Sequence, residues 1–132
     1  MTTDSSSSLP GGTVLTRVPR IERLRRLLRS YPVRVHGPSM LPTLGPGAIA
    51  LALPLSGNDA VRPGDLVLAR HPQRHTTVMI KRVLSITDQG GVLLAGDNPA
   101  ASTESIDFGP VPRGDLLARV SWRLWPPPPQ PL

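Results

Sequence analysis

There is no cysteine in this chain of 132 residues. Disulfide cross-links, thiolate nucleophiles and cysteine-based zinc or iron–sulfur sites are therefore excluded. Aromatic residues are almost as scarce, with one Phe, one Tyr and two Trp. The core must come from Val, Leu, Ala and Ile, while 17 Pro and 12 Gly cut the chain into short pieces. That mixture suits strands joined by turns better than long helices. Long hydrophobic runs are missing too. A membrane span needs about 20 apolar residues, and the longest run here, Ala48 to Leu55, is far shorter and contains Pro54. Thr2 to Thr13 is polar and is followed by no apolar stretch of the kind a secretory leader carries. The expectation is a cytoplasmic protein of one domain.

The net charge is +6, but it is not spread over the chain. Arg17, Arg20, Arg23, Arg25, Arg26, Arg29 and Arg34 stand against Glu22 alone, which accounts for the whole excess. The remaining residues carry eight cationic and eight acidic groups. With an electrically balanced body, no nucleic-acid partner is expected, and attraction to a polyanion or a membrane surface would act through the Arg17–Arg34 segment.

Residues 1–18 are Ser- and Gly-rich and are expected to be disordered. Residues 19–30 read as a short basic amphipathic helix, with Pro19 in its first turn. Ile21, Leu24, Leu27 and Leu28 share one face, which is expected to pack on the domain; a membrane-surface or partner-docking helix is the alternative. Pro32 is expected to end the helix. Residues 31–125 then read as a β domain, with strands at Val33–His36, Ala48–Leu53, Leu66–Arg70, Thr76–Ile86, Val92–Ala95 and Asp115–Leu124. Turn signals at Arg62-Pro63-Gly64-Asp65 and Asp88-Gln89-Gly90-Gly91 separate them. Gly96–Gly114 is a long polar loop, and residues 126–132 form a Pro-rich tail expected to be unstructured.

Three segments carry chemistry. The chain has 14 Arg and a single Lys, Lys81, set inside the apolar run Val78-Met79-Ile80-Lys81-Arg82-Val83-Leu84. Arginine cannot lose its proton in a protein, whereas a desolvated lysine can and then serves as a base. The sequence leaves two readings open: a buried base, or a strand lysine facing solvent beside Arg82. The second segment holds Ser39 between Gly37-Pro38 and Pro42, where a stiff backbone would fix both a hydroxyl and its N–H, as attack and oxyanion stabilisation require. An ordinary turn serine fits that loop equally. The third, Gly96-Asp97-Asn98-Pro99-Ala100-Ala101-Ser102, is dense in side chains that hydrogen-bond backbone, and its position allows a return toward Ser39 and Lys81. His71 and His75 are four apart, but they sit in a turn-like stretch with Pro72 and have no evident third ligand, so no metal site or cofactor is expected. His36 is too close in sequence to Ser39 for a productive base geometry.

Together these segments resemble the signal peptidase I family. Gly37-Pro38-Ser39-Met40-Leu41-Pro42-Thr43-Leu44 resembles its nucleophile box, Arg62-Pro63-Gly64-Asp65-Leu66-Val67 its second box and Lys81-Arg82-Val83 its lysine box. Gly96-Asp97-Asn98 through Ser102 to Ser105, with Phe108-Gly109-Pro110-Val111-Pro112, resembles its last box. The resemblance spans Val33 to about Val120 and implies a mainly β fold, the antiparallel catalytic domain shared by signal peptidases and LexA-type proteins, preceded here by the short basic helix. It implies a serine endopeptidase with Ser39 as nucleophile, Lys81 as general base, Ser102 orienting the lysine amine, and Arg82 with Asp97 as a structural ion pair. Two positions depart from the pattern. Gly37 stands where a hydroxyl residue often gives a second oxyanion donor, and Ile106 stands where an Arg is usual, which removes an ion pair for Glu104.

Without a spanning segment, the Gly96–Pro112 region looks like that of the nickel-type superoxide dismutase maturation proteases. That resemblance implies a protein precursor, the dismutase propeptide, as substrate. A generic signal peptidase-like protease docked at a membrane through the basic segment is the alternative. An inactive peptidase-fold module that binds through the same segment is a second. A LexA-type repressor would need a DNA-binding domain, for which residues 1–30 are too short.

Overall fold

A computed structural model describes residues 20–57, 59–101 and 108–132. The chain forms one helix, α1 (Arg20–Arg29), and the strands β1 (Tyr31–Arg34), β2 (Ile49–Pro54), β3 (Leu66–Arg70), β4 (Val78–Ile86), β5 (Val92–Ala95), β6 (Leu116–Trp125) and β7 (Gln130–Pro131). They make one sheet in the order β1-β2-β6-β3-β4-β5, with β7 added beside β6. Every strand pairing is antiparallel. The mainly β, antiparallel expectation holds. The expected disordered segment 1–18 lies outside the described residues.

The late strand β6 inserts between β2 and β3, so the sheet closes only once the last third of the chain returns to its centre. Four of the five residues of β3, Leu66 to Ala69, are buried, because both faces of this strand are covered. Leu66 and Leu68 join one apolar cluster with Val35, Met40, Leu44 and Val120. Val67 and Ala69 join a second with Val83, Leu94, Phe108 and Val111. The small side chains Ala48, Ala50, Ala52 and Ala118 let the first cluster close tightly around Met40 and Leu44, which are 0% exposed.

Met40 and Leu44 belong to the loop that carries Ser39. The loop is pinned at its base, where the Val35 N–H donates to the Ala48 carbonyl (2.8 Å) and the Gly47 N–H to the Val35 carbonyl (2.9 Å). Within it the Leu44 N–H donates to the Met40 carbonyl (2.9 Å). The loop is therefore part of the core. Leu44→Ala is expected to lower unfolding free energy by about 2–5 kcal/mol, the usual cost of a cavity at a fully buried leucine. Urea titration followed by circular dichroism checks this.

Three expectations need correction. The helix spans Arg20–Arg29, within the expected 19–30, but Pro32 is not its stop: it lies within β1 opposite Leu51. An edge strand accommodates proline because its outward side needs no donor, and β1 is at the sheet edge. The leucine face of α1 does not pack on the domain: Leu24, Leu27 and Leu28 are 56%, 56% and 76% exposed. The two clusters are completed by strand and loop residues, and α1 lies against β2. The tail is not unstructured either. The chain turns back so that Trp122 faces Pro131 and Arg123 faces Gln130, and the Leu132 N–H donates to the Ser121 carbonyl (2.9 Å).

Candidate active site

Ser39 follows Gly37, whose φ of 77° lies in the left-handed region that favours glycine. The departure from the usual hydroxyl residue at this position coincides with a backbone that disfavours any side chain. After the turn, the N–H of Leu41 donates to the Pro38 carbonyl (3.1 Å). Ser39 itself is half-buried.

Lys81 lies on β4 opposite Val67 of β3. At 5% exposure it is the one buried charged residue among the described residues, which excludes the solvent-facing reading. The alternation that leaves Val78 and Leu84 exposed buries Lys81 and Val83. Ser39 and Lys81 line the same cleft of about 680 Å³, together with Val33 of β1 and Met79 and Ile80 of β4. A cleft of this size suits a segment of a few residues.

What joins the two is the last box. The Asn98 N–H donates to the Ser39 carbonyl (2.9 Å), and Asn98 Nδ2 donates to the Pro38 carbonyl (3.1 Å). Asp97, the preceding residue, accepts a short hydrogen bond from Thr43 Oγ1 in the serine loop. It also accepts two from Arg82: Nε to Oδ1 at 2.8 Å and Nη2 to Oδ2 at 2.7 Å. Arg82 Nη1 then donates to the Gly64 carbonyl (2.8 Å) in the second box. One carboxylate thus ties the serine loop to the strand of Lys81, and its arginine partner ties both to the turn before β3. The expected Arg82–Asp97 ion pair is present, with side-chain exposures of 32% and 12%.

The sequence reading gave no role to Thr43 and none to the Asn98 side chain. Asn98 stood inside a recognised box, so its type and place were available as a signal. Thr43 offered none, because its partner lies 54 residues away. Ser102, Glu104 and Ile106 lie outside the described residues. His36 is exposed and lines the cleft. His71 packs its ring on Phe108, centroids 4.9 Å apart, and accepts from the Gln73 N–H through Nδ1. His75 Nε2 is 3.0 Å from the Pro72 carbonyl. Among the described residues no group of three His, Asp or Glu is placed to hold a metal.

The Arg82 guanidinium, through its hydrogen bonds, holds the Asp97 carboxyl below its ordinary value; the Thr43 hydroxyl adds to the effect and burial opposes it. The folded-state value is lowered, so this group stabilises the fold above its unfolded value near 4 and the contribution is lost as pH falls toward the depressed value. Acid unfolding of the wild type is therefore expected to include a step below about pH 4 that Asp97→Asn lacks, measured as thermal midpoint against pH.

Residues 17–113 match the family model described as Peptidase S24-like. The chain belongs to the Peptidase S24-like family. It is 36% identical over 116 residues to the mitochondrial ATP-independent inner membrane protease subunit 1a of Arabidopsis thaliana, covering 70% of this chain and 69% of the relative. Against subunit 1b of the same plant it is 28% identical over 147 positions, covering 94% and 87%. Against the mitochondrial inner membrane protease subunit 1 of Homo sapiens it is 32% identical over 114 residues, covering 71% and 69%. No solved structure matches. This family member is a signal peptidase-like protease by descent. The relatives overturn the cytoplasmic expectation, since they are subunits of proteases of a mitochondrial inner membrane. Among the described residues, no helix is long and apolar enough to cross a membrane.

Proposed function

We propose that the protein is a serine endopeptidase acting through a Ser39–Lys81 dyad on the N-terminal segment of a protein precursor. The observation that carries this reading is the chain's single lysine, buried and sharing a cleft with a serine whose loop is braced by Asp97 and Asn98. The Lys81 amine takes the proton from Ser39 Oγ, which attacks the scissile carbonyl. The tetrahedral intermediate collapses to an acyl-enzyme as the leaving amine departs with a proton, and a water deprotonated by the same amine releases the acyl group. General-base help of this kind is worth roughly 10²- to 10⁴-fold. Ser102 is assigned to orient the amine, by its place in the last box. The substrate lies extended in the cleft between β1 and β4 and adds backbone hydrogen bonds to a strand.

The precursor of a nickel-type superoxide dismutase is the substrate this reading favours. The support is the resemblance of Gly96–Pro112 to the enzymes that trim that propeptide. A nickel site that uses a free N-terminal amine cannot form while extra residues cover the amine, so cleavage at one bond would be required. The test is co-expression with the precursor and mass spectrometry of its N-terminus. Removal of the propeptide at one bond by the wild type, and none by Ser39→Ala, supports the reading. An intact precursor beside folded wild-type protein, or equal processing by Ser39→Ala, refutes it.

A further inference from the structure

Among the described residues, none of α1 lines the cleft of Ser39 and Lys81. The helix's neighbours in the fold leave its apolar face open: Leu24, Leu27 and Leu28, spaced three and four apart, are 56%, 56% and 76% exposed. The cationic residues Arg25 and Arg29 of the same helix are exposed beside them. The segment Arg17 to Arg34 carries the entire positive excess of the chain. Ten residues are far too few to span a bilayer, but they suffice to lie in its interface. We infer that α1 is a docking element for an anionic membrane surface, lying in the headgroup plane with its leucines inserted below the headgroups and its arginines against lipid phosphates and acidic headgroups.

The chemistry selects this occupant. A nucleic acid would be held by arginines on its phosphates and would gain nothing from bare leucines. An apolar groove on a protein partner would take the leucines but would leave a charge of +6 without a counterpart. An anionic bilayer satisfies both, because the hydrocarbon boundary takes the apolar side chains and the negative surface potential attracts each arginine.

The test is sedimentation of the full-length protein with vesicles. One set is phosphatidylcholine with about a quarter phosphatidylglycerol and the other is phosphatidylcholine alone. The wild type is expected to partition onto the anionic vesicles at least about tenfold more strongly, and to be released as salt rises from about 0.1 to 0.5 M. Two double variants, Leu27→Asp/Leu28→Asp and Arg25→Glu/Arg29→Glu, are each expected to lose about tenfold or more of that partition. Both should keep the wild-type circular dichroism spectrum, since Arg25, Leu27, Leu28 and Arg29 are exposed. Because binding is read without any cleavage, its failure is independent of the peptidase reading. Equal binding to neutral vesicles, no binding to anionic ones, or unchanged binding by either double variant overturns the inference. So does a dimer in solution that Leu27→Asp/Leu28→Asp dissolves, which would assign the face to a second copy.

Discussion

Lys81→Arg is expected to abolish cleavage of the precursor, lowering kcat/KM by at least roughly 10²- to 10⁴-fold. The substitution keeps the positive charge and much of the shape and removes one property, the capacity to give up a proton near neutral pH. At 5% exposure, Lys81 has little room for a guanidinium, so Lys81→Met serves as the companion variant, with circular dichroism and thermal unfolding showing that each is folded. Ser39→Ala is expected to lose a similar factor through a different step, since no acyl-enzyme can form. A nucleophile and its base act as one unit, so Ser39→Ala combined with Lys81→Arg should be no slower than the worse single variant. Near-normal turnover by folded Lys81→Arg would remove lysine from the mechanism. Residual activity that multiplies down in the double variant would show that the two groups act separately.

How much of this was legible in the sequence depends on distance along the chain. β3 and β5 have the bounds their apolar runs suggested, because each run is closed by turn residues that cannot extend a strand. β4 is two residues shorter than expected at its start. The helix was visible, yet its packing was not: periodicity reports that a face is apolar and says nothing of what meets it. Here strand and loop residues fill both clusters and the face stays open. The insertion of β6 between β2 and β3 is a pairing between distant segments, which no local pattern encodes. The return of the tail as β7 was missed for a related reason. A run of four prolines argues against a strand, while Gln130 and Pro131 just beyond it pair with Trp122 and Arg123, the part of β6 that lies beyond its pairing with β3.

The site followed the same rule. Lys81 was conspicuous as the single lysine, and its burial came from alternation along β4. Ser39 was marked by its flanking glycine and prolines. The Arg82–Asp97 pair was expected by resemblance alone, since nothing local joins residues 15 apart in sequence. Thr43, which completes the connection to the serine loop, could be found only once the fold had brought it to the carboxylate.

Cutting that connection is expected to cost activity out of proportion to stability. Asp97 receives hydrogen bonds from Thr43 and Arg82, and Arg82 also holds the Gly64 carbonyl. Asp97→Asn removes the charge and replaces one acceptor by a donor, so at least one of the paired bonds must break. Charge-assisted bonds are worth about 1.5–3 kcal/mol when well buried. With Arg82 at 32% side-chain exposure, the expected loss is toward about 1–2 kcal/mol. Catalysis is more sensitive, because a displacement of about 1 Å between nucleophile and base costs on the order of 10²-fold. Asp97→Asn is therefore expected to lower kcat at least tenfold with a small change in KM, the mark of a positioning residue whose loss leaves the cleft in place. Arg82→Gln should do the same, and the double variant should be less impaired than the two effects combined, with a coupling of about 0.5–3 kcal/mol. A kcat that tracks only the fraction folded, with no coupling between the two positions, would reduce the pair to a surface contact and leave the serine loop held by its buried Met40 and Leu44, its backbone bonds and the Asn98 hydrogen bonds.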